Sequence, residues 1–342
     1  MKLAVFAFSL QGIKTADRIC LALRGGGNDC HVCAPQRLAG GDVRAVTPPL
    51  ADFVAPLFRE MDALVFVSSC GIAVRAIAPH IRDKTTDPAV VAIDETARFV
   101  VPLLSGHIGG ANKLAGLLAA ALDAVAAITT ATDVNGKFSV DAWAAEKGLH
   151  IDSMPCAKAV SAAILEGPVP LRSDFPIVGA PPPGVTLGEA GPVGICVSWR
   201  KQKPFGETLL LVPGVIRLGI GCRRGTDMET IAAAVRETLE LHRVHGRAVK
   251  CAASIDLKKD EPGLLAFGRT AGLPLEFYTA AELREIEGAF ASSDFVKSVT
   301  GVDNVCERAA LAGGGELIIK KTARNGVTVA AAVEEYEVRF DG

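Results

Sequence analysis

Short, nearly continuous apolar runs alternate with amphipathic stretches through the first 136 residues. That pattern is the signature of buried β-strands joined by crossover helices. The runs KLAVFAF, HVCA, ALVFVSS, AVVAID, FVVPL and AAITT predict strands, and apolar positions at helical spacing predict helices over 15–24, 50–59, 72–81 and 112–122. Strands that alternate with helices in this way build a doubly wound, largely parallel sheet. Ligands of such sheets collect at the carboxyl ends of the strands. The segments SSCGIAVR, IDETAR, LSGHIGGAN and TTATDVNGK are therefore the ones to watch.

Between residues 155 and 192 the pattern breaks, and eight of the nineteen prolines fall there. Proline suits neither a helix interior nor a central strand, so this stretch reads as a boundary or an irregular insert. It lies in a small middle region, 137–215, which also holds a helix near 140–147 and the strand-like runs VGICVSW and TLLLVP. A second α/β domain, 216–342, opens with the strand IRLGIGC. Thr226 with Glu229, and Thr279 with Glu282, have the spacing of capping boxes at helix starts. Asn325 and Gly326 between two β-prone runs predict a tight hairpin near the end.

Charge changes the picture only by exclusion. Thirty-six basic against thirty-eight acidic residues leave a net charge of −2, so no global basic field favours nucleic acid or a membrane surface. No run reaches the ~18 apolar residues of a membrane span, and the apolar start MKLAVFAF reads as a first strand rather than a leader. The nine cysteines are odd in number and scattered through apolar runs. They predict reduced packing thiols in a cytoplasmic protein. A single CxxC, Cys30 and Cys33, lacks the second ligand pair of a structural zinc site.

LSGHIGGAN carries the densest chemistry. Gly106, Gly109 and Gly110 follow a strand and open a helix, where amides and the positive helix end meet anions. Ser105 and His107 add a hydroxyl and a side chain that titrates near neutral pH, with Asn112 a turn further on. A tight turn with a merely hydrogen-bonded histidine explains the same spacing equally well. Asp94 and Glu95, at the end of AVVAID, are candidates to orient His107, or else ordinary turn or cap residues. Arg75, Arg223, Arg224 and Lys320 are candidate carboxylate clamps, each with a plain solvated charge as its alternative. Lys320 and its neighbour Lys321 alternate across a strand, so only one of them faces a given side.

Taken in order, GIAVRAIAPHIRDKTTDPAVVAIDE, LLSGHIGGANKLA and ITTATD, then GIGCRRGT, SIDLKKDEPGL, PLEFYTAAEL, GVDNVCERAAL and KKTARNGVTVA, resemble the cobalt-precorrin-5A hydrolase family (CbiG) of anaerobic cobalamin biosynthesis. The last five also resemble the small protein CobE of the aerobic pathway. The resemblance implies a cobalt-precorrin tetrapyrrole substrate, rich in carboxylates, whose δ-lactone is opened by water with loss of a two-carbon fragment as acetaldehyde. It implies no cofactor, because the cobalt enters within the substrate, and it suggests neighbouring pathway enzymes as partners. On that footing His107 is the proton-transfer group, Asp94 or Glu95 its orienter, and Ser105 a donor or water positioner. The amides of Gly109 and Gly110 then meet developing negative charge, Gly106 and Asn112 join them in binding the substrate, and Arg75, Arg223, Arg224 and Lys320 hold peripheral carboxylates in a cleft between the α/β units. A nucleotide-binding enzyme is a rival that lacks its phosphate fingerprint, and a non-catalytic corrinoid carrier is a rival built from the same arginines.

Overall fold

Val5, Val65 and Val91 point to one face of a sheet while Phe6, Phe66 and Val90 point to the other, and both faces are buried. Continuous apolar runs are what a strand covered on both sides requires. In the computed structural model, which describes residues 1–24, 27–83, 86–290 and 298–340, the chain divides into two units, Met1–Ala145 and Glu146–Gly342.

The first unit runs β1 (Lys2–Ala7), α1 (Leu10–Arg24), β2 (Asp29–Pro35), β3 (Arg44–Val46), α2 (Leu50–Glu60), β4 (Ala63–Val67), α3 (Cys70–Ile77), β5 (Ala89–Ile93), β6 (Phe99–Leu104), α4 (Ala111–Leu122), β7 (Val125–Ala126), α5 (Ala131–Val134) and α6 (Val140–Glu146). Its seven-stranded sheet has the order β3-β2-β1-β4-β5-β6-β7. Residues of α1 and α4 cover one face, and those of α2 and α3 the other, which is the doubly wound arrangement expected. All neighbouring pairs are parallel except β5 with β6, which is antiparallel. Phe6 and Phe66 stack at 4.6 Å between ring centroids at the strand pair where the winding changes direction.

Cys20 and Cys30 depart from the expectation of reduced thiols: they form a disulfide. Helix α1 returns over β2 and brings their Cα atoms to 5.7 Å. Cys30 is thus bonded outside the CxxC, and burial pushes the Cys33 thiol up to about 11.

The second unit continues with β8 (His150–Ile151), α7 (Met154–Glu166), β9 (Val169–Ser173), β10 (Ile177–Val178), β11 (Val185–Leu187), β12 (Val193–Val197) and β13 (Glu207–Val212). The proline-rich stretch is thus more regular than its composition suggested. Pro155 sits in the first turn of α7, where no amide partner is lost, and β11-β9-β12-β13-β8 form a five-stranded sheet. Trp199, Phe205 and Leu210 from this region share one apolar core with the sheet that follows.

That second sheet, β16-β15-β14-β18-β17, comprises β14 (Ile216–Cys222), β15 (Val249–Ile255), β16 (Leu275–Tyr278), β17 (Glu316–Arg324) and β18 (Val327–Val333). Helices α8 (Met228–Leu241) and α9 (Pro262–Ala271) pack on one face. A helix over Val305–Leu311 packs on the other. Thr279 and Glu282 make the expected capping box, but α8 is capped by Asp227, whose carboxylate accepts from the Thr230 amide at 2.6 Å. Asn325 and Gly326 turn the β17–β18 hairpin with positive φ at both positions, as a tight two-residue turn requires.

Gly219 in β14 sets the depth of the second sheet's packing. A Cβ there would lie 1.7 Å from the Cys306 carbonyl oxygen, so the helix over Val305–Leu311 approaches the strand as only glycine permits. The prediction is that Gly219→Ala destabilises this unit by about 3 kcal/mol. In a thermal melt that is a drop of roughly 6–12 °C; a melting temperature within ~2 °C of the parent would contradict it.

Candidate functional site

The reversal of β6 decides where the histidine goes. Because β6 runs against β5, Leu104 pairs with Val90, and the SGHIGG turn emerges beside the beginning of β5. Asp94 and Glu95 lie at the other end of that strand, about 17 Å away for five residues at ~3.3 Å each. The expected partnership with His107 therefore does not form. Asp94 instead closes the β5–β6 turn, accepting from the Thr96 amide and hydroxyl at 3.0 and 2.6 Å and from the Arg98 and Phe99 amides at 2.8 and 2.6 Å. Burial alone would raise its carboxyl, but these donors outweigh it and hold the group below the usual carboxylate range. Glu95 uses its backbone carbonyl to accept from the Thr15 hydroxyl at 2.7 Å.

His107 finds Asp141 instead. Its Nδ1 lies 3.3 Å from Oδ1 of Asp141, with the two side chains 21% and 10% exposed. The carboxylate also accepts from the Ser139 hydroxyl at 2.9 Å and from the Ala142 amide at 3.1 Å. Asp141 is in the first turn of α6, and those donors fix it against the imidazole. A carboxylate at Nδ1 favours the tautomer with its proton there, which makes Nε2 the basic nitrogen of the ring. A sequence reading takes an aspartate in a first helical turn as a dipole partner, so nothing local marked it.

Gly106 and Gly109 stand where a side chain has no room. A Cβ on Gly109 would lie 2.3 Å from the Ser105 Cβ, and one on Gly106 would lie 2.9 Å from the Asn112 Oδ1. The Gly110 amide donates to the His107 carbonyl, the Ala111 amide to that of Ser105 and the Asn112 amide to that of Gly106, at 2.9, 3.0 and 3.0 Å. The helix start expected to meet an anion is thus bonded to its own loop. Ser105, at φ 57°, donates its hydroxyl to the Asp87 carbonyl at 3.0 Å. Buried Asn112 donates to the Thr130 hydroxyl at 2.9 Å. Both positions hold the turn in place. Arg75 folds back on the Gly71 carbonyl at 3.3 Å, at the start of α3 and beside the carboxyl end of β4, so it belongs to the edge that carries Asp94.

Arg223 and Arg224 are brought together with other cations in the second unit. Following β14, they line a cavity of about 890 Å³ with Lys258, Lys321 and Arg324. The Arg223 amide donates to the Gly326 carbonyl at 3.1 Å, which ties the arginine loop to the β17–β18 hairpin. Ser254, Asn304 and Cys306 form a buried floor, while Leu257 and Val299 expose 63% and 62% of their surface at the rim. Lys320 is not among the lining residues and Lys321 takes its place. Irregular pairing between Ile319 and Thr322 hides from a simple alternation rule which of the two lysines faces inward. The amide of Lys321 is fixed by buried Glu307 at 2.7 Å.

One α/β unit thus carries a histidine held by a carboxylate, and the other a cavity that combines apolar surface with several cations. The chain belongs to the cobalamin synthesis G (CbiG) family. The family's N-terminal model, described as cobalamin synthesis G N-terminal, matches residues 52–133, and its C-terminal model, cobalamin synthesis G C-terminus, matches residues 216–332. The chain is 36% identical over 296 residues to a cobalt-precorrin-5A hydrolase of Salmonella typhimurium, covering 81% of this chain and 83% of that protein. It is 34% identical over 119 residues to CobE of Sinorhizobium sp, covering 34% of this chain and 77% of that protein. A solved structure of a cobalamin biosynthesis protein G homologue from Sulfolobus solfataricus is similar at 22% identity, with a TM-score of 0.43 over 98% of this chain and 97% of that one.

Two outcomes are expected. Asp94→Ala should cost about 1–2 kcal/mol at neutral pH by removing the turn's acceptor. A carboxyl depressed in the folded state contributes fully above its unfolded value of roughly 4 and loses that contribution as pH falls through the lower folded value. The gap between parent and variant in denaturant melts should therefore narrow toward acid; a gap that widens there contradicts the assignment. Separately, Lys321→Ala should weaken binding of a tetrapyrrole polycarboxylate such as uroporphyrin about 5–10-fold in an absorbance titration, as one desolvated charge contact is worth. Lys320→Ala should leave it unchanged, and the reverse pattern would exchange the two lysines.

Proposed function

We propose that this chain hydrolyses the δ-lactone of cobalt-precorrin-5A and releases its two-carbon fragment as acetaldehyde, leaving cobalt-precorrin-5B. Identity of 36% with a cobalt-precorrin-5A hydrolase over most of both chains supports the reaction. The observation that carries the mechanism is the pairing of His107 with Asp141. Water adds to the lactone carbonyl, and the imidazole takes the proton that the water loses. Collapse of the tetrahedral intermediate frees the ring acetate as a carboxylate and leaves a hydroxyethyl group on the macrocycle. Removal of that hydroxyl proton breaks the carbon–carbon bond: acetaldehyde departs, the bonding pair stays on the macrocycle, and the acid form of a protein group returns a proton there. Asp141 stabilises the imidazolium that arises in each proton transfer.

The substrate is a macrocycle with an apolar body and a rim of acetate and propionate groups, and its cobalt arrives with it. The cavity in the second unit offers complementary surface: apolar side chains at its rim and Arg223, Arg224, Lys258, Lys321 and Arg324 around it. Local cations of this kind make a net charge of −2 compatible with a polyanionic ligand.

The test is to supply the lactone-bearing cobalt intermediate anaerobically and measure acetaldehyde. The parent protein is expected to release it in proportion to the lactone consumed, and His107→Ala to lower kcat by ~10²-fold or more. Asp141→Ala should lower it by about 10-fold or more as the imidazole loses its orientation, whereas Glu95→Gln should turn over as the parent does. Release at the background rate by the parent would overturn the hydrolase reading, and tight binding without release would favour a carrier.

A further inference from the structure

Glu261 is a buried carboxylate with no part in the reaction as described above. It occupies the N-cap position of α9, yet its side chain makes no cap bond to that helix. Instead, one oxygen accepts from the Gly225 amide at 2.6 Å and the other from the Lys258 ammonium at 3.1 Å, with the residue only 7% exposed. Gly225 directly follows Arg223 and Arg224, and Lys258 lines the same cavity. One carboxylate therefore grips two cationic segments from behind. Their close approach is built in: a Cβ on Gly263, in the first turn of α9, would lie 2.0 Å from the Thr226 carbonyl oxygen. The start of α9 thus lies directly against the arginine loop.

Burying a carboxylate is costly unless its lone pairs are satisfied. At Glu261 burial raises the carboxyl, but the Gly225 amide and Lys258 outweigh it and bring it below its ordinary value. The group is therefore ionised at neutral pH.

We infer that Glu261 is a positioning residue, holding the Arg223–Arg224 loop and the Lys258 ammonium in the arrangement that receives the carboxylates of the macrocycle. The inference rests on reading this cavity as the macrocycle's site. Its sign is diagnostic. A negative charge behind an anion site repels the ligand, so a Glu261 that acted only through its charge would weaken binding, and its removal would tighten it. A positioning residue does the opposite. The neutral amide of glutamine can accept from Gly225 or from Lys258 but cannot satisfy both as the carboxylate does.

The experiment compares the parent, Glu261→Gln, the pair Arg223→Ala with Arg224→Ala, and the triple variant. It reads KM and kcat for acetaldehyde release and the Kd for uroporphyrin by absorbance titration. For Glu261→Gln we expect KM and Kd to rise about 5–10-fold at parental kcat, as loss of a charge-assisted contact predicts. In the arginine-free background the same substitution should weaken binding by a smaller factor than in the parent, because the part of its effect that acts through the Arg223–Arg224 loop is already lost and only the part through Lys258 remains. Unchanged or tighter binding by Glu261→Gln, alongside weakened binding by the arginine variant, would overturn the positioning role alone. Parental binding by the arginine variant would overturn the assignment of the cavity, and the positioning role with it. Should Glu261→Gln fail to fold, Glu261→Asp decides: it keeps the charge and shortens the reach, so a raised KM at parental kcat supports positioning and a parental KM overturns it.

Discussion

The antiparallel course of β6 is the constraint on which the first unit's chemistry depends. Strands β1 to β5 run one way, β6 and then β7 run the other, and the reversal at β6 sends its carboxyl end to the edge where β1 to β5 begin. The SGHIGG turn therefore leaves the edge at which doubly wound sheets gather their ligands, and with it the company of Arg75, Asp94 and Glu95. What it meets instead is the first turn of α6, where Asp141 waits with two donors already in place. The same reversal gives Asp94 its structural task, accepting from the amides of the short antiparallel connection between β5 and β6.

The second unit faces a different problem, the gathering of like charges. Arg223, Arg224, Lys258, Lys321 and Arg324 lie around one cavity and repel one another. The fold sets carboxylates close to several of them. Arg324 pairs with Glu237 at 2.7 Å, Lys258 with Glu261, and Glu307 binds the backbone of Lys321. Two of the five cations, Arg324 and Lys258, are thereby offset by a carboxylate. A protein of nearly balanced charge can in this way hold a compact polyanion without attracting extended ones.

Much of the architecture was legible from the chain because buried parallel strands must be written as apolar runs, and turns such as Asn325 and Gly326 must supply positive φ. Strand direction was not, since the apolar run FVVPL suits a parallel or an antiparallel neighbour equally. That single ambiguity displaced Asp94 and Glu95 from the site and concealed Asp141. Lys320 and Lys321 were indistinguishable for a related reason: alternation assigns faces only while register is regular, and the pairing there is not. Family resemblance named the reaction, but the partners of His107 and the full set of cations depend on contacts between residues far apart in the sequence.

Hydrogen exchange with and without the lactone-bearing intermediate tests the placement of the substrate most directly. The account predicts slowed exchange over 222–226, 254–258 and 321–328, the segments around the cationic cavity. Slowing confined to 68–75 and 94–98, at the opposite edge of the first sheet from His107, with no change around the cavity, would contradict it.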